Sequence, residues 1–122
     1  MKKIFYYTDV LPLLSRGEDA LDKINKNLKV FKDASLDIRL VWHPWSKTEH
    51  YLELNGSELV KQYRRVLETY KYEGWGDLDE SATFIEAKEV LLGCSGYYGD
   101  VSDLVYEAQN AGIPVMLQNI DV

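Results

Sequence analysis

The sequence predicts an α/β domain with a parallel sheet covered by helices on both faces. Two observations lead there. Short runs rich in aromatic, branched and apolar residues alternate with amphipathic helical segments along all 122 residues, with no internal repeat and no low-complexity linker. A glycine turn, Tyr97-Tyr98-Gly99-Asp100-Val101-Ser102-Asp103-Leu104, also joins the fourth apolar run to the helix after it, as where α/β proteins hold phosphate groups.

Lys3-Ile4-Phe5-Tyr6-Tyr7-Thr8 reads as the first strand. Ser15-Arg16-Gly17-Glu18 fits a capping box. Leu21, Ile24, Leu28 and Phe31 then recur at helical spacing, giving a helix of about 15 residues. Ile38-Arg39-Leu40-Val41-Trp42 is a second strand, stopped by Pro44 because proline cannot donate to a ladder. Residues 55–58 start a second helix with Leu59, Tyr63, Val66, Leu67 and Tyr70 on one side and Gly74 at its close.

A weaker extended piece, Trp75-Gly76-Asp77-Leu78, precedes a short helix capped near Ser81 or Thr83, with Phe84, Ile85 and Ala87 apolar. A fourth strand is expected over Glu89 to Cys94, followed by the glycine turn. The next helix carries Leu104, Val105, Ala108 and Ala111 and ends at Gly112. Ile113-Pro114-Val115-Met116-Leu117 is the last strand, its proline suiting a strand start. Five strands and four helices connected by right-handed crossovers make a doubly wound, Rossmann-like layer structure.

Length and composition bound the rest. A chain that is 46% hydrophobic at this length supports one domain with one ordinary core. A net charge of −6, spread along the chain, argues against nucleic acid and anionic membrane as partners. No apolar run approaches the ~20 residues of a membrane span, and Met1-Lys2-Lys3 leads into a strand and not a signal-peptide core. A cytoplasmic protein is expected. The lone Cys94 excludes an internal disulfide and reads as a buried small side chain. With two histidines and no second cysteine, no zinc or iron site and no cofactor is expected. No Gly-x-Gly-x-x-Gly, Walker-type or Ser/His/Asp spacing is present to support dehydrogenase, kinase or hydrolase chemistry.

Several runs share a pattern with one family. Val41-Trp42-His43-Pro44-Trp45-Ser46-Lys47-Thr48-Glu49, Tyr72-Glu73-Gly74-Trp75-Gly76, the glycine turn, and Gly112-Ile113-Pro114-Val115-Met116-Leu117-Gln118-Asn119 together resemble the C-terminal half of bacterial CDP-glycerol glycerophosphotransferase-like proteins, from about Lys2 to Asn119. The resemblance implies a GT-B architecture of two Rossmann-like halves, the second holding a nucleotide-linked donor. It further implies transfer of a phosphoglycerol or glycosyl unit from a CDP- or UDP-linked donor to a hydroxyl, in bacterial surface-polymer (teichoic acid or polysaccharide) synthesis. The chain departs from the family at three places. The family's Trp-Arg-Pro-His-Pro stands opposite Trp42-His43-Pro44-Trp45-Ser46, so His43 aligns with the arginine or, shifted by one residue, with the histidine. Its Gly-Asp-x-Ser-Ser becomes Gly99-Asp100-Val101-Ser102-Asp103, and its Thr-Ser becomes Thr8-Asp9. Two carboxylates within ~6 Å would repel a diphosphate by an amount comparable to the ~1–3 kcal/mol gained at a helix terminus.

The candidate donor-binding residues are Thr8, His43, Lys47, Gly99, Asp100, Ser102 and Asp103, with amides around Gly99 to Asp103 meeting the diphosphate; no catalytic base is named. Each has a structural alternative: helix capping for Asp100, Ser102 and Asp103, a satisfied histidine beside the sheet for His43, loop capping for Thr8. Trp42, Trp45 and Trp75 could stack a base or sugar, or serve as core. An alternative of another class is a non-catalytic binding or homodimeric assembly module, using the face that a partner domain would cover. A flavodoxin-like or receiver-like domain shares the layer pattern but lacks the expected paired acids and lysine.

Overall fold

The computed structural model describes residues 1–118. Its elements are β1 (Lys2–Thr8), α1 (Leu11–Arg16), α2 (Glu18–Asp33), β2 (Ile38–Pro44), α3 (Thr48–Leu54), α4 (Leu59–Glu73), β3 (Asp77–Leu78), α5 (Phe84–Leu92), β4 (Gly96–Gly99), α6 (Leu104–Asn110) and β5 (Val115–Leu117). The five strands form one sheet in the order β3-β2-β1-β4-β5, every pair parallel. The chain thus moves outward from β1 to β3, then returns to β4 on the other side of β1, so the strand order reverses between β1 and β4. This is the Rossmann-like doubly wound arrangement that the sequence predicts.

Alternation along the strands divides the core. Tyr6, Leu40 and Trp42 face a cluster with Leu13, Leu21, Ile24, Leu28, Leu52, Leu59, Tyr63 and Tyr70, so α1 to α4 contribute to one side. Phe5, Tyr7, Val41 and Tyr97 face Ala87, Leu91, Cys94, Leu104, Val105 and Ala108, on the side of α5 and α6. A parallel sheet buried on both faces needs this near-continuous apolar character in its central strand. Phe5 and Tyr6 accordingly are both fully buried.

Three expectations are corrected. The predicted strand over Glu89 to Cys94 is helix up to Leu92, because Thr83 and Glu86 form a complete capping box that starts α5, and the apolar run continues its turns. The fourth strand is Gly96–Gly99 instead. Its glycines are steric requirements: a Cβ on Gly99, whose φ is +130°, would lie 2.1 Å from the Tyr7 carbonyl oxygen, and one on Gly96 would meet the Ile4 side chain at 3.0 Å. The Ser15–Glu18 capping box does not form, since Ser15 lies inside α1 and Gly17, at φ +56°, separates α1 from α2. A third helix, α3, fills the stretch after Pro44, and α4 starts at Leu59, where Ser57 Oγ accepts the Leu59 N–H. Cys94 is buried, its thiol pushed up to about 11 by burial, with Sγ–H on the Val90 carbonyl. No helix is long and apolar enough to cross a membrane among the described residues. Asn119, the end of the last resemblance motif, lies outside them.

Candidate functional site

In an open parallel sheet the residues just past the carboxyl ends of the strands surround a crevice, deepest where the strand order reverses. Here they are Asp9, Trp45, Asp79, Asp100 and Gln118, with the reversal between β1 and β4. The two central ends are tied together. The Asp100 N–H donates to the Tyr7 carbonyl at 3.0 Å and the Gln118 N–H to the Gly99 carbonyl at 2.7 Å. Across the gap, the Asp9 N–H donates to Asp100 Oδ2 at 2.8 Å, and Gln118 Nε2 to Oδ1 at 3.3 Å. Asn27 extends the network, donating to Gln118 Oε1 at 2.6 Å and to the Tyr6 hydroxyl at 3.1 Å. Burial raises the pKa of Asp100, the Asp9 N–H and then the charges of Lys23 and Arg16 opposing it, while Asp9's charge adds to the rise.

Two cavities open at this rim and share Asp9 and Val101. The larger, about 840 Å³, lies along α1 and α2 toward Asp100 and Gln118. Arg16, Lys23 and Lys26 line it together with Asp9, Asp19, Asp22 and Asp100, and Leu11, Pro12 and Leu13 form an apolar wall. The smaller, about 320 Å³, lies on the α5 and α6 side and contains His43, Trp45, Ser46, Ser81, Thr83, Phe84, Ser102 and Asp103.

His43 lines the smaller cavity as a buried histidine, its side chain 6% exposed. Its ring stacks near Phe5 and Tyr7, at centroid distances of 5.4 and 5.8 Å. Nδ1 lies 2.9 Å from Asp79 Oδ2, and Ser81 Oγ donates to Asp79 Oδ1 at 2.8 Å. Burial lowers the His43 pKa despite the Asp79 charge and its hydrogen bonds. The contact is therefore a hydrogen bond from a neutral imidazole near pH 7, not an ion pair. Asp79 fixes the proton on Nδ1 and leaves Nε2 with an open lone pair.

The structure brings His43, Ser102 and Asp103 to one cavity and places Asp100 in the other. The Ser102 hydroxyl donates to the Tyr97 hydroxyl oxygen at 2.9 Å, since Tyr97 O–H serves the Asp100 carbonyl, and its Oγ accepts the Leu104 N–H at 3.2 Å, the capping alternative. Gly99 sits in β4 packed on β1, with its carbonyl accepting from Gln118. Thr8 is turned into the core, 3% exposed, where Oγ1 accepts the Trp42 indole N–H at 3.0 Å. Lys47 is exposed at the amino end of α3 and lines neither cavity. One amide of the expected main-chain cradle is taken up. The Asp100 amide serves Tyr7, and the first amides of α6, on Leu104 and Val105, serve Ser102. Trp42 and Trp75 are packed in the first core cluster.

Arg16, Lys23, Asn27, Asp79 and Gln118 are the site residues that sequence reasoning missed. Asp79 and Gln118 carried a signal, since each immediately follows a run read as a strand, and such positions line the crevice. Arg16 and Lys23 carried none, because only the packing of α1 and α2 turns them toward the rim. Comparison with known proteins gave no match: no family model, no curated protein and no solved structure is significantly similar to this chain.

Proposed function

We propose that this chain is a donor-binding domain that takes a CDP- or UDP-linked molecule in the crevice beside the β1–β4 reversal, in the manner of the donor-binding halves of glycerophosphotransferases and glycosyltransferases. The observation that carries this reading is the larger cavity at the reversal, lined by Arg16, Lys23 and Lys26 together with the apolar Leu11, Pro12 and Leu13. An apolar wall suits a base, and the cations suit phosphates. The Asp9 amide is occupied by Asp100, and the diphosphate charge is met by these side chains. The carboxylates of Asp19 and Asp22 accept ribose or sugar hydroxyls. As part of a larger protein, the domain would serve transfer of a glycerophospho or glycosyl unit in surface-polymer synthesis.

Calorimetric titration with CDP, UDP and their glycerol or sugar conjugates tests it. A dissociation constant below about 1 mM is expected, weakened roughly tenfold by Lys23→Gln with Lys26→Gln. Absence of heat at millimolar ligand overturns the reading.

One observation favours the second reading, a non-catalytic homodimeric assembly module. The rim carries exposed apolar side chains, Leu11 at 65%, Val101 at 51% and Phe84 at 44%, a combination suited to a contact surface. Light scattering on the eluted chain separates the two: a stable dimer blind to nucleotide supports assembly, and a monomer that binds nucleotide excludes it.

A further inference from the structure

The smaller cavity differs from the larger in its chemistry. Among the described residues no lysine or arginine lines it, while Asp9, Asp103 and His43 do, so it disfavours an anion. Its hydroxyl groups are mostly engaged within the protein: Ser81 donates to Asp79, Thr83 to Glu86, and Ser102 pairs with Tyr97. His43 and Asp103 keep capacity to accept. No buried side-chain nitrogen or oxygen among the described residues lacks a partner, and Nε2 of His43 makes no hydrogen bond among them, so it opens onto the cavity. Asp103 is exposed at the same mouth. Trp45 and Phe84 add aromatic surface to the same lining.

Hydrogen-bond acceptors and aromatic rings lining one cavity match one ligand chemistry. The C–H faces of a sugar or polyol pack on the rings while its hydroxyls donate to carboxylate and imidazole. At about 320 Å³ the space is at the low end for small-molecule sites, about 300–1,000 Å³, and so suits a single sugar unit. We propose that this cavity binds one neutral sugar or polyol, with His43 Nε2 and the Asp103 carboxylate as acceptors for its hydroxyls and Asp79 as the positioning residue that keeps the proton on Nδ1. The site stands independently of nucleotide binding in the larger cavity.

Titration of the full chain with glucose, sorbitol, inorganic phosphate and ethylamine, followed by two-dimensional amide and imidazole nitrogen NMR, tests it. Glucose or sorbitol should shift Ser81, Ser102, Asp103 and the His43 Nε2 resonance, saturating below roughly 100 mM. Asp103→Asn, at an exposed position that leaves the core intact, should weaken binding roughly five- to tenfold. Asp79→Asn should weaken it by a similar factor and also lower the His43 pKa, which a purely structural role would not require. Shifts from phosphate or ethylamine in place of the sugars, or no shift from any probe, overturn the proposal. Unchanged affinity in both variants overturns the assigned contacts. The nucleotide titration above is read separately, so failure here leaves that reading standing.

Discussion

The carboxylate of Asp100 accepts the backbone N–H of Asp9 at 2.8 Å, bridging the ends of β1 and β4, between which the strand order reverses. A carboxyl group of the protein itself thus occupies a main-chain donor at the point where the strand order reverses. Asp100 is 7% exposed, and its other oxygen is held by Gln118.

Asp100→Ala should cost about 1–3 kcal/mol in urea unfolding, since the Asp9 N–H and the Gln118 amide lose their acceptor in a buried setting. Asp100→Asn keeps one carbonyl acceptor and should cost less. The same Asn variant removes a negative charge from the cavity rim, so CDP affinity should rise. A fall in CDP affinity would instead make this carboxylate a ligand contact.

Thr8→Val is isosteric but leaves the fully buried Trp42 indole N–H without an acceptor. Unfolding free energy should drop by about 1–3 kcal/mol, with nucleotide affinity unchanged within about twofold. Loss of affinity in a fully folded variant would return Thr8 to the donor site.

Gly99→Ala is expected to be severe. Its φ of +130° is unfavourable for any side chain, and the new Cβ would sit 2.1 Å from the Tyr7 carbonyl oxygen, so β1 and β4 would have to separate. The loss should reach at least about 3 kcal/mol, visible as a lowered thermal midpoint.

His43 makes stability depend on pH with a defined sign. Its folded pKa lies below the ordinary 6.5 because burial disfavours the imidazolium. As pH falls, the unfolded chain takes up this proton first, so stability declines below about pH 6.5 until folded His43 also protonates. Asp100 acts in the opposite sense: its folded pKa lies above 3.8, so the folded state binds that proton first and gains stability as pH falls from that raised pKa toward 3.8. Urea unfolding of the wild type and His43→Gln across pH 5 to 8 isolates the first effect, since His50 is common to both chains. An unchanged wild-type minus variant difference across that range would refute it.

Much of the fold was legible because parallel strands and their covering helices leave periodic, local signals. Lys3–Thr8, Ile38–Trp42 and the stripe from Leu59 to Tyr70 fall within the observed elements β1, β2 and α4. Val90-Leu91-Leu92 misled, because a short apolar run has no period of its own and only the Thr83–Glu86 capping box decides that it is helix. Gly96–Gly99 was hidden for the converse reason. Glycine lowers strand propensity, and its use here answers to the close approach of Ile4 and Tyr7, which lie more than 90 positions away in the chain.

The sequence by itself determined the class of the domain and the broad alternation of its elements, since these follow from spacing within a few residues of one another. Only the tertiary structure decided the roles at the rim. It turned Thr8 into the core, set Asp79 on His43, brought Arg16 and Lys23 to the crevice, and laid Asp100 on the Asp9 amide. Hydrogen bonding and burial depend on distance in space, and the strand pairing that joins residues 9, 43, 79 and 100 leaves no periodicity in the chain.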